Sequence, residues 1–128
     1  MKKLLSSILL LFSFILTVSV SNAASYEQAL SDSKPAAILI YADWADNVQS
    51  VLQSFNNMGQ QYADKYNFVP LNICKPEAKS FNKTYHIYPN IPYVLLFREG
   101  GKISRFLKQD CVTNESCFKE KLDVFAIK

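Results

Sequence analysis

The side chains of this 128-residue sequence with most chemistry to offer are three cysteines, Cys74, Cys111 and Cys117. A thiol can close a disulfide, attack one or bind a metal, and spacing decides which of these is open. Cys111 and Cys117 flank a turn-like Val-Thr-Asn-Glu-Ser stretch and are the expected disulfide pair, which leaves Cys74 as the odd thiol. A bridge over so short a loop stabilises by about 2–3 kcal/mol in the chain-entropy model. No two cysteines stand at close ligand spacing and His86 is the single histidine, so neither a metal nor a cofactor is expected. His86 reads as a surface or partly packed side chain.

The compartment bears on the thiols. Met1-Lys2-Lys3 is a short positive start, Leu4 to Val20 is an apolar stretch diluted by serines, and Ser21-Asn22-Ala23 offers small residues for cleavage. This is the pattern of a secretory signal peptide, with cleavage expected after Ala23 and a single domain over residues 24–128. An uncleaved anchor wants a longer and more strongly apolar span. No cysteine follows that could carry a lipid, so no membrane anchor is expected after cleavage. The expected location is periplasmic or secreted, where disulfides persist.

Composition narrows the class further. Half of the chain is hydrophobic, with 17 aromatic residues and only three glycines, which excludes disordered and collagen-like material. The formal charge of +3 falls to 12 basic against 11 acidic residues, or +1, once the two lysines of the signal are removed. Neither a nucleic acid nor an acidic membrane is an expected partner.

Hydrophobic periodicity supplies the elements that must position these residues. Tyr26 to Ser31 predicts a short helix broken by Lys34-Pro35. Ala36 to Tyr41 is a continuous apolar run, the mark of a strand covered on both faces. Val48, Val51, Leu52, Phe55, Met58 and Tyr62 follow helical spacing and predict a helix to about Tyr66. Asn67 to Ile73 predicts a strand whose Pro70 is tolerable only where no ladder donor is needed. Pro76 opens a helix carrying Ala78, Phe81 and Tyr85. Tyr93 to Phe97 and Ile103 to Leu107 are strands joined by a hairpin at Glu99-Gly100-Gly101-Lys102. Thr113 or Asn114 can cap a last helix that buries Phe118, Leu122 and Phe125. The order α-β-α-β-α-β-β-α is that of one α/β sandwich.

Ile40-Tyr41-Ala42-Asp43-Trp44 before a helix, Ile91-Pro92 before an apolar strand, and the Phe97-to-Lys102 hairpin together resemble the thioredoxin family. The resemblance covers nearly all of residues 25–127. It implies a three-layer sandwich with a central mixed four-stranded sheet flanked by helices, and a cis bond at Pro92. In that family the tryptophan is followed by Cys-x-x-Cys, where the helix N-terminus stabilises a thiolate. Here Trp44 is followed by Ala45-Asp46-Asn47-Val48, so dithiol catalysis at this motif is excluded by residue type. Leu39 stands where many relatives keep a buried acid, and Asp46 and Asn47 are expected to cap the helix. The stretch from Tyr85 to Pro92 is one residue longer than the common pattern, and Tyr93 replaces a small polar residue.

These departures point to an exported module that binds a protein or peptide, or joins an envelope assembly, through Trp44, Ala45, Asp46, Asn47, Val48, Ile91, Pro92 and Tyr93. Relatives pair that loop with substrate backbone as a form of strand addition. The alternative is a thiol–disulfide oxidoreductase working through Cys111 and Cys117, with or without Cys74 as a resolving or docking thiol. Against it stands the plainer expectation that the pair staples the last helix and that Cys74 is a buried small hydrophobe.

Overall fold

The computed structural model describes residues 25–126; the signal-like stretch and its cleavage point lie outside the described residues. The elements are α1 (Tyr26–Ser31), β1 (Ala36–Tyr41), α2 (Val48–Gln61), β2 (Asn67–Asn72) and α3 (Glu77–Tyr85). They continue with β3 (Tyr93–Arg98), β4 (Ile103–Leu107), α4 (Gln109–Val112) and α5 (Glu115–Ala126). The strands form one mixed sheet in the order β2-β1-β3-β4, with β1 parallel to β2 and antiparallel to β3, and β3 antiparallel to β4.

Alternation along the strands divides the core in two. Ala37 and Leu39 of β1 and Val94 and Leu96 of β3 face α2 and α5, where they meet Val51, Phe55, Phe118 and Leu122. Ala36, Ile38, Ile40, Leu95 and Phe97 face the other way, against Tyr26 and Leu30 of α1 and Phe81 of α3. Because β1 and β3 are central and covered on both faces, their sequences are unbroken apolar runs rather than alternating ones. The result is the three-layer arrangement the sequence implies.

Pro70 fits because β2 is an edge strand, where a missing N–H can face away from the ladder. The hairpin between β3 and β4 runs through three consecutive left-handed residues, Glu99, Gly100 and Gly101. Glycine suits Gly101, whose backbone is left-handed at φ 89° and where a Cβ would lie 2.6 Å from the Tyr85 hydroxyl and force it to shift.

Three expectations need correcting. Helix α2 ends at Gln61, not near Tyr66. The chain must turn so that the Tyr66 hydroxyl donates to the Leu122 carbonyl at 2.7 Å and the Asn67 amide donates to the Pro35 carbonyl at 2.9 Å. Those tertiary anchors override the helical spacing. A four-residue helix, α4, is present where none was predicted. At the start of α2, Asn47 is the N-cap but makes no side-chain cap, and its backbone is left-handed at φ 62°. A capping side chain reaches the N2 or N3 amide from extended backbone, and Asn47 does not have that geometry. Of the two candidate caps for α5, Asn114 fills the role, its Oδ1 accepting from the Cys117 amide at 3.1 Å.

Candidate functional site

The strand directions decide which loops meet. β1, β2 and β4 run the same way and β3 runs against them. The loops after β1, β2 and β4 therefore share one end of the sheet with the segment entering β3. Trp44, Cys74, Pro92 and Cys111 all belong to that end, the usual place for a site in an open α/β sheet.

At its centre lies a shallow trough of about 420 Å³, walled by Trp44, Ala45, Asp46 and Asn47 on one side, by Pro89 and Ile91 on another, and closed by Gln109. Trp44 stands 70% exposed, a large apolar ring that folding has left in solvent. The turn carrying it is held by the Ala45 amide donating to the Ala42 carbonyl at 3.1 Å. Asn72 secures the next loop: its Nδ2 donates to the Asp43 carboxylate at 3.1 Å and its Oδ1 accepts from the Cys74 amide at 2.9 Å. Asn72 is the buried polar residue of the described core, and its three-residue link ties the ends of β1 and β2 together.

The Ile91–Pro92 peptide bond is cis. Behind it Tyr93 is fully buried, its hydroxyl accepting from the Tyr88 amide at 2.9 Å and its ring stacked on Phe106 at 4.6 Å. Burial raises the Tyr93 phenol above its ordinary value. Val48 and Pro92 are buried as well. Of the expected contact residues, Trp44, Ala45, Asp46, Asn47 and Ile91 thus line the trough, while Val48, Pro92 and Tyr93 lie beneath the surface and shape it. Pro89 and Gln109 complete the wall and were missed from sequence. Pro89 carried a signal as the extra proline of the loop. Gln109 carried none, because it enters the site on the unforeseen α4.

The Cys111–Cys117 disulfide is formed, with 5.3 Å between Cα atoms. It joins α4 to the first turn of α5, two residues beyond Gln109. Cys74 is exposed, not buried as expected, because it lies in the turn beyond the end of edge strand β2. It follows edge strand β2, while Cys111 follows the opposite edge strand β4. Among the described residues no group of three or more His, Cys, Asp or Glu side chains converges as a metal site.

Layer order, sheet topology and the cis-proline at the head of β3 define a thioredoxin-like fold. The crystal structure of thioredoxin from Malassezia sympodialis (Mala s 13) superposes with a TM-score of 0.62 over 79% of this chain and 83% of that one, at 16% identity. In sequence the chain is similar to the chloroplastic thioredoxin-like protein HCF164, 31% identical to that of Arabidopsis thaliana and 42% to that of Oryza sativa subsp. japonica, each over 98 residues. Those matches cover 73% of this chain but only 38% and 37% of the relatives, so the chain spans under two fifths of their length. The thiol:disulfide interchange protein TxlA of Synechococcus elongatus is 33% identical over 65 residues, 48% of this chain and 34% of that protein. No protein-family model matches. The fold is thioredoxin-like, and the sequence is similar to those of thioredoxin-like proteins.

Proposed function

We propose that this chain is an exported thioredoxin-like module, residues 24–128 after signal cleavage, that binds an extended segment of a partner protein in the Trp44 trough without dithiol exchange there. The observation that carries the reading is the trough itself: an exposed tryptophan facing the Pro89–Ile91 loop, with alanine and valine where a dithiol would stand. Exposed aromatic anchors beside a shaped groove are what protein-binding sites use. The proposed location is periplasmic or secreted, supported by the signal-like start and the disulfide.

A second reading is supported by the relatives' names and by the disulfide two residues past Gln109. In it the Cys111–Cys117 bond exchanges with a partner's dithiol, one partner thiolate attacking a sulfur and releasing the other as thiolate. Equilibration in glutathione buffers, with alkylation and intact mass, separates the two. A bond that stays closed until well below about −300 mV supports the binding module with a structural staple. A bond that opens near −200 mV or above overturns it in favour of exchange.

A further inference from the structure

The two edges of the sheet are built differently. β2 carries Pro70, paired in register with Leu39, and the missing N–H leaves that edge one outward donor short. β4 carries no proline, and no strand flanks its outer side among the described residues. Alternate residues of β4 therefore turn their N–H and C=O groups away from β3, a complete template for a further strand.

The side chains beside this edge are distinctive on both faces. On one, Phe106 is 39% and Tyr88 50% exposed, and their rings meet edge-on at 6.0 Å. Tyr93 fixes Phe106 from beneath. On the other face, Arg105 shares its side of the strand with Ile103 and Leu107, opposite Leu96. Lys102 and Lys108 stand at the two ends, and Lys102, Arg105 and Lys108 are all exposed. Among the described residues none of the three makes an ion pair, and the pair that forms, Lys119–Glu115, is elsewhere on α5. Basic residues alone would read as protection of an edge against indiscriminate pairing. Half-exposed rings held ready beside unpaired backbone do not serve that purpose.

We propose that β4 is a docking strand for an extended acidic segment of a partner protein, which adds as a fifth strand with carboxylates toward Arg105 and an apolar side chain against Phe106 and Tyr88. A second copy of this chain is the wrong occupant: antiparallel self-pairing centred on β4 sets Arg105 directly against Arg105, and facing like charges repel. The surface borders the Trp44 trough, since Tyr88 and Lys108 adjoin the trough residues Pro89 and Gln109 in sequence. It uses none of the residues that line the trough, and the inference stands without that reading.

The test uses two nine-residue peptides, alternating glutamate–valine and alternating lysine–valine, added to the ¹⁵N-labelled protein and followed by amide shifts and hydrogen exchange. The glutamate peptide is expected to shift residues 103–108 and Tyr88 and to slow exchange of β4 amides, with the lysine peptide at least tenfold weaker. Arg105→Glu should reverse that preference and Phe106→Ser should weaken binding, each with a melting temperature near that of the parent. Lack of binding at millimolar glutamate peptide, or equal binding of both peptides, would overturn the inference. So would shifts confined to Trp44–Asn47 and Pro89–Ile91, an outcome that leaves the trough reading standing. Concentration-dependent shifts at β4 without peptide would make a second copy the occupant and likewise overturn it.

Discussion

Replacing both members of the disulfide, Cys111→Ser with Cys117→Ser, should cost about 2 kcal/mol. The bond spans a sequence separation of six, and the loop-closure entropy it removes from the unfolded chain at that length gives this figure at 25 °C. For a domain of this size the loss lowers the melting temperature by about 8–15 °C. The structure also says where the loss falls. α5 keeps Phe118, Leu122 and Phe125 in the core, so it should stay folded. α4 has four residues, far too few to be helical alone, and one buried side chain, Val112. Hydrogen exchange should therefore speed most at the Val112 and Thr113 amides, which donate to the Lys108 and Gln109 carbonyls, and little in α5. Thermal melts with exchange read by mass spectrometry check both parts. A melting temperature unchanged within about 2 °C, or α5 opening while α4 stays protected, would refute the staple.

Tyr66→Phe should cost about 0.5–1.5 kcal/mol in urea unfolding, because it removes the hydrogen bond that the buried hydroxyl donates to the Leu122 carbonyl at 2.7 Å. Gly100→Ala and Gly101→Ala share left-handed backbones, but only the second drives a Cβ to 2.6 Å from the Tyr85 hydroxyl. The first should cost about 1 kcal/mol and the second clearly more by the same assay. Stability should fall as pH rises above about 10, the phenol's unfolded value. Burial, then the hydrogen bond to Asp123 and its charge, pushes Tyr62 up to about 12. Burial also raises Tyr66 and Tyr93. Folded values above the unfolded one mean that the neutral phenols' stability is fully present below pH 10 and is lost as they ionise. Melting temperatures across the alkaline range, with phenolate absorbance, check the sign.

Most of the layer structure was legible in sequence because burial writes itself into residue type. The runs Ala36–Tyr41 and Tyr93–Phe97 are apolar without alternation, as strands covered on both faces must be. Pro70 marked an edge for the reason the topology provides. The end of α2 was not legible, since Tyr62 and Tyr66 keep helical spacing while hydrogen bonds to Asp123 and Leu122 draw them away from the helix. Nor was α4, because four residues carry no period to detect. The site followed the same rule. Trp44 was readable from its place at a strand-to-helix turn, whereas Gln109 joins it only through the return of β4 to the same end of the sheet. Cys74 was misjudged because cysteine is usually buried, and only the position of β2 at the edge decides otherwise.

The central claim is that the Trp44 trough binds extended protein while the disulfide stays intact. Its most direct test is calorimetric titration, without reductant, of the parent and of Trp44→Ala with a carboxymethylated, permanently unfolded protein. Intact mass of the Cys111–Cys117 peptide is read before and after. Saturable binding by the parent, a loss of at least about 2 kcal/mol in the variant, as for an aromatic anchor, and an unchanged disulfide are expected. Equal binding by parent and variant, or no binding by either, would contradict the claim.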